Sequence, residues 1–147
     1  MEHKTQDHLR QHAVVYEEDV VVPMTREQRI ERWAELLERE PARQLATIGG
    51  TEYRPSAERA ALRAHATPIS VAFEDPVLRA EGMKDDTYGE ARRFFTLSDH
   101  ELHRVVCNCH HGTSVKSSVA ARIVRQIIKQ HAGTGLLKWL RQKFAFA

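Results

Sequence analysis

The sequence predicts a mainly α-helical protein: a compact multi-helix domain ending in a helix-turn-helix-like pair plus a short C-terminal amphipathic helix, with room for a small N-terminal β-hairpin. Three observations carry that expectation. Apolar residues recur three and four positions apart through much of the chain, the period of a helix with one buried face. Helix-start signals, a Ser, Thr or Asp with Gln, Glu or Pro at the matching offset, stand ahead of several of these runs. Finally, 147 residues are enough for one hydrophobic core but short for two domains. The expected division is an N-terminal extension over 1–24 and a single helical domain over 25–147.

Residues 1–24 open with a polar stretch containing His3, His8 and His12. Two β-branched clusters follow, Ala13 to Tyr16 and Val20 to Val22, which suit a hairpin or an edge strand. Met24 stands directly before a helix start, so this segment reads as an appendage and its histidines enter no candidate site. Thr25 and Gln28 form a capping box, and Ile30, Trp33, Ala34 and Leu37 follow at helical spacing until Pro41 ends the run. Gly49-Gly50 marks a turn, Pro55-Ser56 opens an Ala/Arg-rich helix from Ala57 to about His65, and Thr67-Pro68 breaks it. Ile69 to Phe73 alternates apolar and small residues, which predicts a half-buried strand. Asp75-Pro76 has the N-cap and N1 chemistry of a short helix that Gly82 closes, and Asp86 or Thr87 caps the next through Tyr88, Ala91, Phe94 and Phe95. Ser98 with Glu101 makes a second capping box, for a helix expected to run to His111 because Gly112 stands where a left-handed residue is wanted. Thr113 or Ser114 then caps a long helix, Val115 to His131, ended by Gly133, and Leu136 to Phe144 forms the terminal piece.

A hydrophobic content of 41% with 29% charged residues argues against both a disordered and a fibrous chain. No run of about 18 apolar residues and no apolar block behind a basic start is present, so the expectation is a cytoplasmic protein without integral membrane association. The only cysteines, Cys107 and Cys109, stand one residue apart; a bridge between them would close almost no loop, which fits a reducing compartment. Charge is uneven: residues 102–147 carry eight Lys and Arg and no carboxylate side chain, whereas the first 101 residues are net acidic. Such a C-terminal third should attract a polyanion, an anionic membrane or the chain's own acidic half.

Two constellations carry chemistry. On one continuous helix at about 100° per residue, His100, His103, Cys107, His110 and His111 share an arc of about 100°, with Cys109 on the neighbouring apolar arc. Imidazole and thiolate are the ligands zinc prefers, and pairs three or four apart chelate from one helix face, so His103, Cys107, His110 and His111 are the candidate metal ligands, with zinc the candidate ion. The spacing matches neither a zincin, since His100 and His103 are three apart, nor covalent haem attachment, since Cys107-Asn108-Cys109-His110 is one residue short. A polar helix face with one small buried thiol is the competing explanation.

The second constellation is the basic stripe Ser118, Arg122, Arg125 and Lys129, with Lys116 just before it, opposite an apolar face of Val115, Val119, Ile123, Val124, Ile127 and Ile128. Behind a helix and a Gly112-Thr113-Ser114 turn, this has the outline of a helix-turn-helix unit, so Lys116, Ser118, Arg122, Arg125 and Lys129 are the candidate nucleic-acid contacts. The acidic first helix, with Glu27, Glu31, Glu35 and Glu38, is positioned by composition to neutralise part of that surface. No G-x-S-x-G and no phosphate-cradling Gly-rich loop occurs, and Cys107 beside His103 or His111 lacks an evident orienting residue, so an enzyme is not favoured. The leading expectation is a regulatory or adaptor protein binding an anionic partner, most readily nucleic acid. The alternatives are a metal- or haem-binding, redox-responsive protein and a protein-protein interaction module or homo-oligomer using Leu136 to Phe144.

Overall fold

The computed structural model describes residues 22–144, with side chains for all but 132–139, 142 and 144. It is mainly helical with one small sheet, as expected. In chain order the elements are α1 (Arg26–Glu38), β1 (Gln44–Ala46), a 3-10 turn (Thr51–Tyr53), α2 (Ser56–Ala60), α3 (Pro68–Phe73), α4 (Pro76–Ala80), α5 (Tyr88–Phe95), α6 (Asp99–Val106), α7 (Asn108–His111), β2 (Ser114–Lys116) and α8 (Ser117–Phe144).

The capping boxes form as the sequence implies. Thr25 and Gln28 exchange side-chain and backbone bonds at the start of α1, and Ser98 and Glu101 do the same for α6, satisfying backbone donors that a helix start leaves free. Asp75 caps α4 by accepting from the Leu78 amide, and its carboxylate also receives two bonds from Arg32 of α1, at 2.6 and 3.0 Å. That guanidinium holds the Asp75 carboxyl below its ordinary range, so one residue starts α4 and ties it to α1.

Beneath these caps lies the core. Trp33 of α1 is fully buried, stacks on Phe95 of α5 with centroids 4.6 Å apart, and donates its Nε1–H to the Pro68 carbonyl at 2.9 Å. Ile30, Leu37, Ile69, Leu78, Leu102 and Val105 close around it. Gly89 of α5 lets α2 approach: a Cβ there would meet the Ala60 carbonyl oxygen at 2.9 Å, closer than packing allows. α8 lies along α1. Ser117 donates to the Leu37 carbonyl at one end of the contact, and His131 reaches Glu101 and Arg26 at the other.

Three local expectations are corrected. Residues 69–73 belong to the helix α3, because Thr67 caps the Ile69 amide and Pro68 takes the N1 position; the capping pair outweighs the alternation that suggested a strand. The helix expected from Ser98 to His111 breaks at Cys107, whose backbone is extended (φ −88°, ψ 144°). There a strap formed by residues 44–48 captures the chain: the Ile48 amide donates to the Val106 carbonyl and the Asn108 amide to the Ile48 carbonyl. The same strap pairs as β1 with β2, antiparallel, with Leu45 opposite Val115, a long-range sheet. The hairpin expected within 13–22 falls, apart from the exposed Val22, outside the described residues. Lastly, α8 runs unbroken through Gly133 and Gly135, so residues 136–144 continue the long helix instead of forming a separate one. Interior glycine weakens a helix by about 1 kcal/mol but ends it only when it turns left-handed.

Candidate metal centre

The break at Cys107 decides the site. With the helix interrupted, α7 restarts at a new rotational phase relative to α6, and the two cysteines exchange roles. Cys107 turns inward, is fully buried, and lies 3.0 Å from the Thr51 hydroxyl; burial pushes its thiol up to about 11. Cys109 turns out to the surface beside His103 and His110. The geometry therefore separates Cys107 from His103 and His110 and brings Cys109 beside them.

His103 from α6 and Cys109 and His110 from α7 bring one ligand atom each to within 4.8 Å of one another. His103 Nδ1 is 3.2 Å from His110 Nε2, and Cys109 Sγ is 3.7 Å from the same His103 nitrogen. The two imidazole rings meet edge to face, with centroids 5.2 Å apart. Partial burial and the neighbouring His103, His111 and His100 push the His110 imidazole toward its neutral form, the form that ligates. His111 is drawn away: its Nε2–H donates to the Arg104 carbonyl at 2.7 Å, so this fourth expected ligand serves the backbone instead. The Glu52 carboxylate, on the 3-10 turn, lies 4.0 Å from His103 Nε2.

The basic residues are scattered by the same strap. Lys116 sits in β2, not on the helix, while Ser118, Arg122 and Lys129 are exposed on α8. Arg125 is not free. Its guanidinium binds Glu38 at 2.9 Å and Glu31 at 3.2 Å, the neutralisation by the acidic first helix that composition implied. At the start of α8, which a helix-turn-helix would offer to bases, the first amides are already paired: the Ser117 and Ser118 amides donate to the Arg43 and Pro41 carbonyls. Gly112 is followed by a strand rather than a tight inter-helix turn. Among the described residues, no helix is long and apolar enough to cross a membrane. The side chains of Leu137, Trp139 and Phe144, expected on a docking face, lie outside those described.

Compared with known proteins, the chain matches no family model, no curated protein and no solved structure, so the functional reading rests on this geometry.

Proposed function

We propose that this protein binds a single transition-metal ion of the zinc type through His103 Nδ1, Cys109 Sγ and His110 Nε2. One observation carries the reading: the spacing of the three donors. Zinc bonds of about 2.0–2.1 Å to nitrogen and 2.3 Å to sulfur, at tetrahedral angles, place two nitrogens about 3.3 Å apart and nitrogen and sulfur about 3.6 Å apart. Here His103 Nδ1 is 3.2 Å from His110 Nε2 and 3.7 Å from Cys109 Sγ, and all three donor atoms lie within 4.8 Å of one another. Hydrogen bonds among a polar trio would account for the same contacts without an ion, and zinc uptake separates the two. The ion would staple α7 to α6 across the break at Cys107, just before the chain enters β2 and α8, so binding would stabilise the junction between those two helices.

The full chain, dialysed against zinc and then against metal-free buffer, should retain about one zinc per chain. Iodoacetamide should modify Cys109 alone in the metal-free protein, because Cys107 is buried, and zinc should slow that reaction at least tenfold. Retention below a tenth of an equivalent, with Cys109 alkylated at the same rate, would end the proposal.

A second reading, association with nucleic acid, is supported by Lys116, Arg122 and Lys129. All three are exposed, and no carboxylate stands within ion-pairing distance of them among the described residues. Arg125, held by two glutamates, drops out of the contact set expected from the sequence, and the pairing of the first α8 amides with Arg43 and Pro41 leaves the exposed side chains to make the contacts. Three phosphate contacts give a log–log slope against salt of about −2.7, and Arg122→Ala should flatten it by about 0.9. Binding to duplex DNA that is absent or indifferent to salt would remove this reading.

A further inference from the structure

We infer that Glu52 is the positioning residue of the proposed centre: its carboxylate receives the Nε2–H of His103 and so leaves the Nδ1 lone pair for the metal. The inference rests on the metal reading above and adds the group that orients its first ligand. A neutral imidazole carries one proton, and only the nitrogen without it can ligate. Cys109 Sγ lies nearly equidistant from the two His103 nitrogens, at 3.7 and 3.8 Å, but their other neighbours differ: Nδ1 is 3.2 Å from His110 Nε2, while Nε2 stands 4.0 Å from Glu52 Oε2. A carboxylate on that side favours the Nε2–H tautomer and, once a cation sits on Nδ1, stabilises the positive charge spread over the ring.

The fold fixes where this carboxylate can reach. Glu52 lies in the middle of a 3-10 turn entered through Gly50, whose φ of 70° admits glycine most readily. The preceding residue, Thr51, is fully buried; its hydroxyl contacts the Cys107 thiol at 3.0 Å and its carbonyl accepts from Arg59 at 3.3 Å. The turn is thus pinned to the same break that sets the phase of α7. The Glu52 side chain itself is 38% exposed, so the roughly 1 Å closure needed for a hydrogen bond is a side-chain rotation, one that exchanges the 3.4 Å bond Oε2 accepts from the Thr51 hydroxyl for the one from His103. Its oxygens do not join the group of donors that lie within 4.8 Å of one another, which places Glu52 outside the first ligand set.

Two measurements on the full chain test this. Zinc affinity, read by competition with a chelator, should fall 10- to 100-fold in Glu52→Ala, and less in Glu52→Gln, whose amide oxygen still accepts the Nε2–H. Nitrogen-15 NMR of the metal-free wild-type protein, above the histidine titration range, should find His103 as the Nε2–H tautomer, with the population moving toward Nδ1–H in Glu52→Ala. Unchanged zinc affinity in Glu52→Ala, or a wild-type His103 in the Nδ1–H form, would overturn the inference. A cobalt(II) spectrum showing that Glu52→Ala removes a ligand would overturn it too, since Glu52 would then bind the metal directly. Should the wild-type chain take up no zinc, the metal reading itself fails, whereas the tautomer measurement still reports whether Glu52 orients the ring.

Discussion

Replacing Cys109 by serine should weaken zinc binding more than a hundredfold, while Cys107→Ala should leave zinc affinity within twofold of wild type. The contrast follows from the opposite surroundings of two residues one position apart. Cys109 is exposed, and its sulfur lies 3.7 and 3.8 Å from the two ring nitrogens of His103. A serine hydroxyl does not ionise at neutral pH and is a poor match for an ion that prefers thiolate. Removing a ligand should exceed the 10- to 100-fold effects usual for outer-shell partners. Metal-free, Cys109→Ser should be as stable as wild type to within about 0.5 kcal/mol, because an exposed side chain contributes little packing. Cys107 sits in the core against Thr51, so its truncation should cost about 1–2 kcal/mol in stability whether or not zinc is present. At free zinc one hundred times the dissociation constant, the wild-type chain gains about 2.7 kcal/mol that Cys109→Ser lacks. Chelator competition and urea unfolding with and without zinc measure both halves.

Trp33→Ala should be the most damaging single core substitution. It removes the largest fully buried side chain among the described residues, the stack on Phe95, and the indole donor to the Pro68 carbonyl, leaving a cavity in the core. Truncations of this kind cost about 3–5 kcal/mol, against a total of about 5–15 kcal/mol for a native domain. The melting temperature should fall by 10 °C or more, or the chain should fail to fold cooperatively, which is on the order of 2–8 °C per kcal/mol at this size. Tyr53→Ala is the matched control: that ring is 87% exposed and its loss should change stability by no more than about 0.5 kcal/mol. Similar melting temperatures for the two variants would mean that the core is not organised around Trp33.

What the sequence made legible is what short-range chemistry decides. The boxes Thr25/Gln28 and Ser98/Glu101 and the caps Asp75 and Thr87 each use groups within a few residues, and each forms in the structure. The acidic face of α1 also foreshadowed the glutamates on Arg125. The misplacements have long-range causes. Nothing between Ser98 and His111 announces the interruption at Cys107, because the groups that impose it belong to Ile48. Once α7 starts afresh, a rotation of about 100° per residue counted from Ser98 no longer describes it, so the arc that joined Cys107 to the histidines dissolves. His103 and His110 survive in the site because each faces the break from its own helix. Cys109 was set among the apolar residues by the same count, and the Cys-x-Cys-His run was the one local hint that either sulfur could serve.

The central claim is that His103, Cys109 and His110 hold one metal ion, and a cobalt(II) titration tests it most directly, since cobalt reports both ligand type and geometry through its spectrum. The metal-free chain should bind one equivalent, with a thiolate-to-cobalt charge-transfer band and the intense visible bands of a four-coordinate ion, water or another donor completing the shell. Both features should persist in Cys107→Ala and vanish in Cys109→Ser. A titration without a charge-transfer band, or one whose band disappears with Cys107 rather than Cys109, would contradict the account.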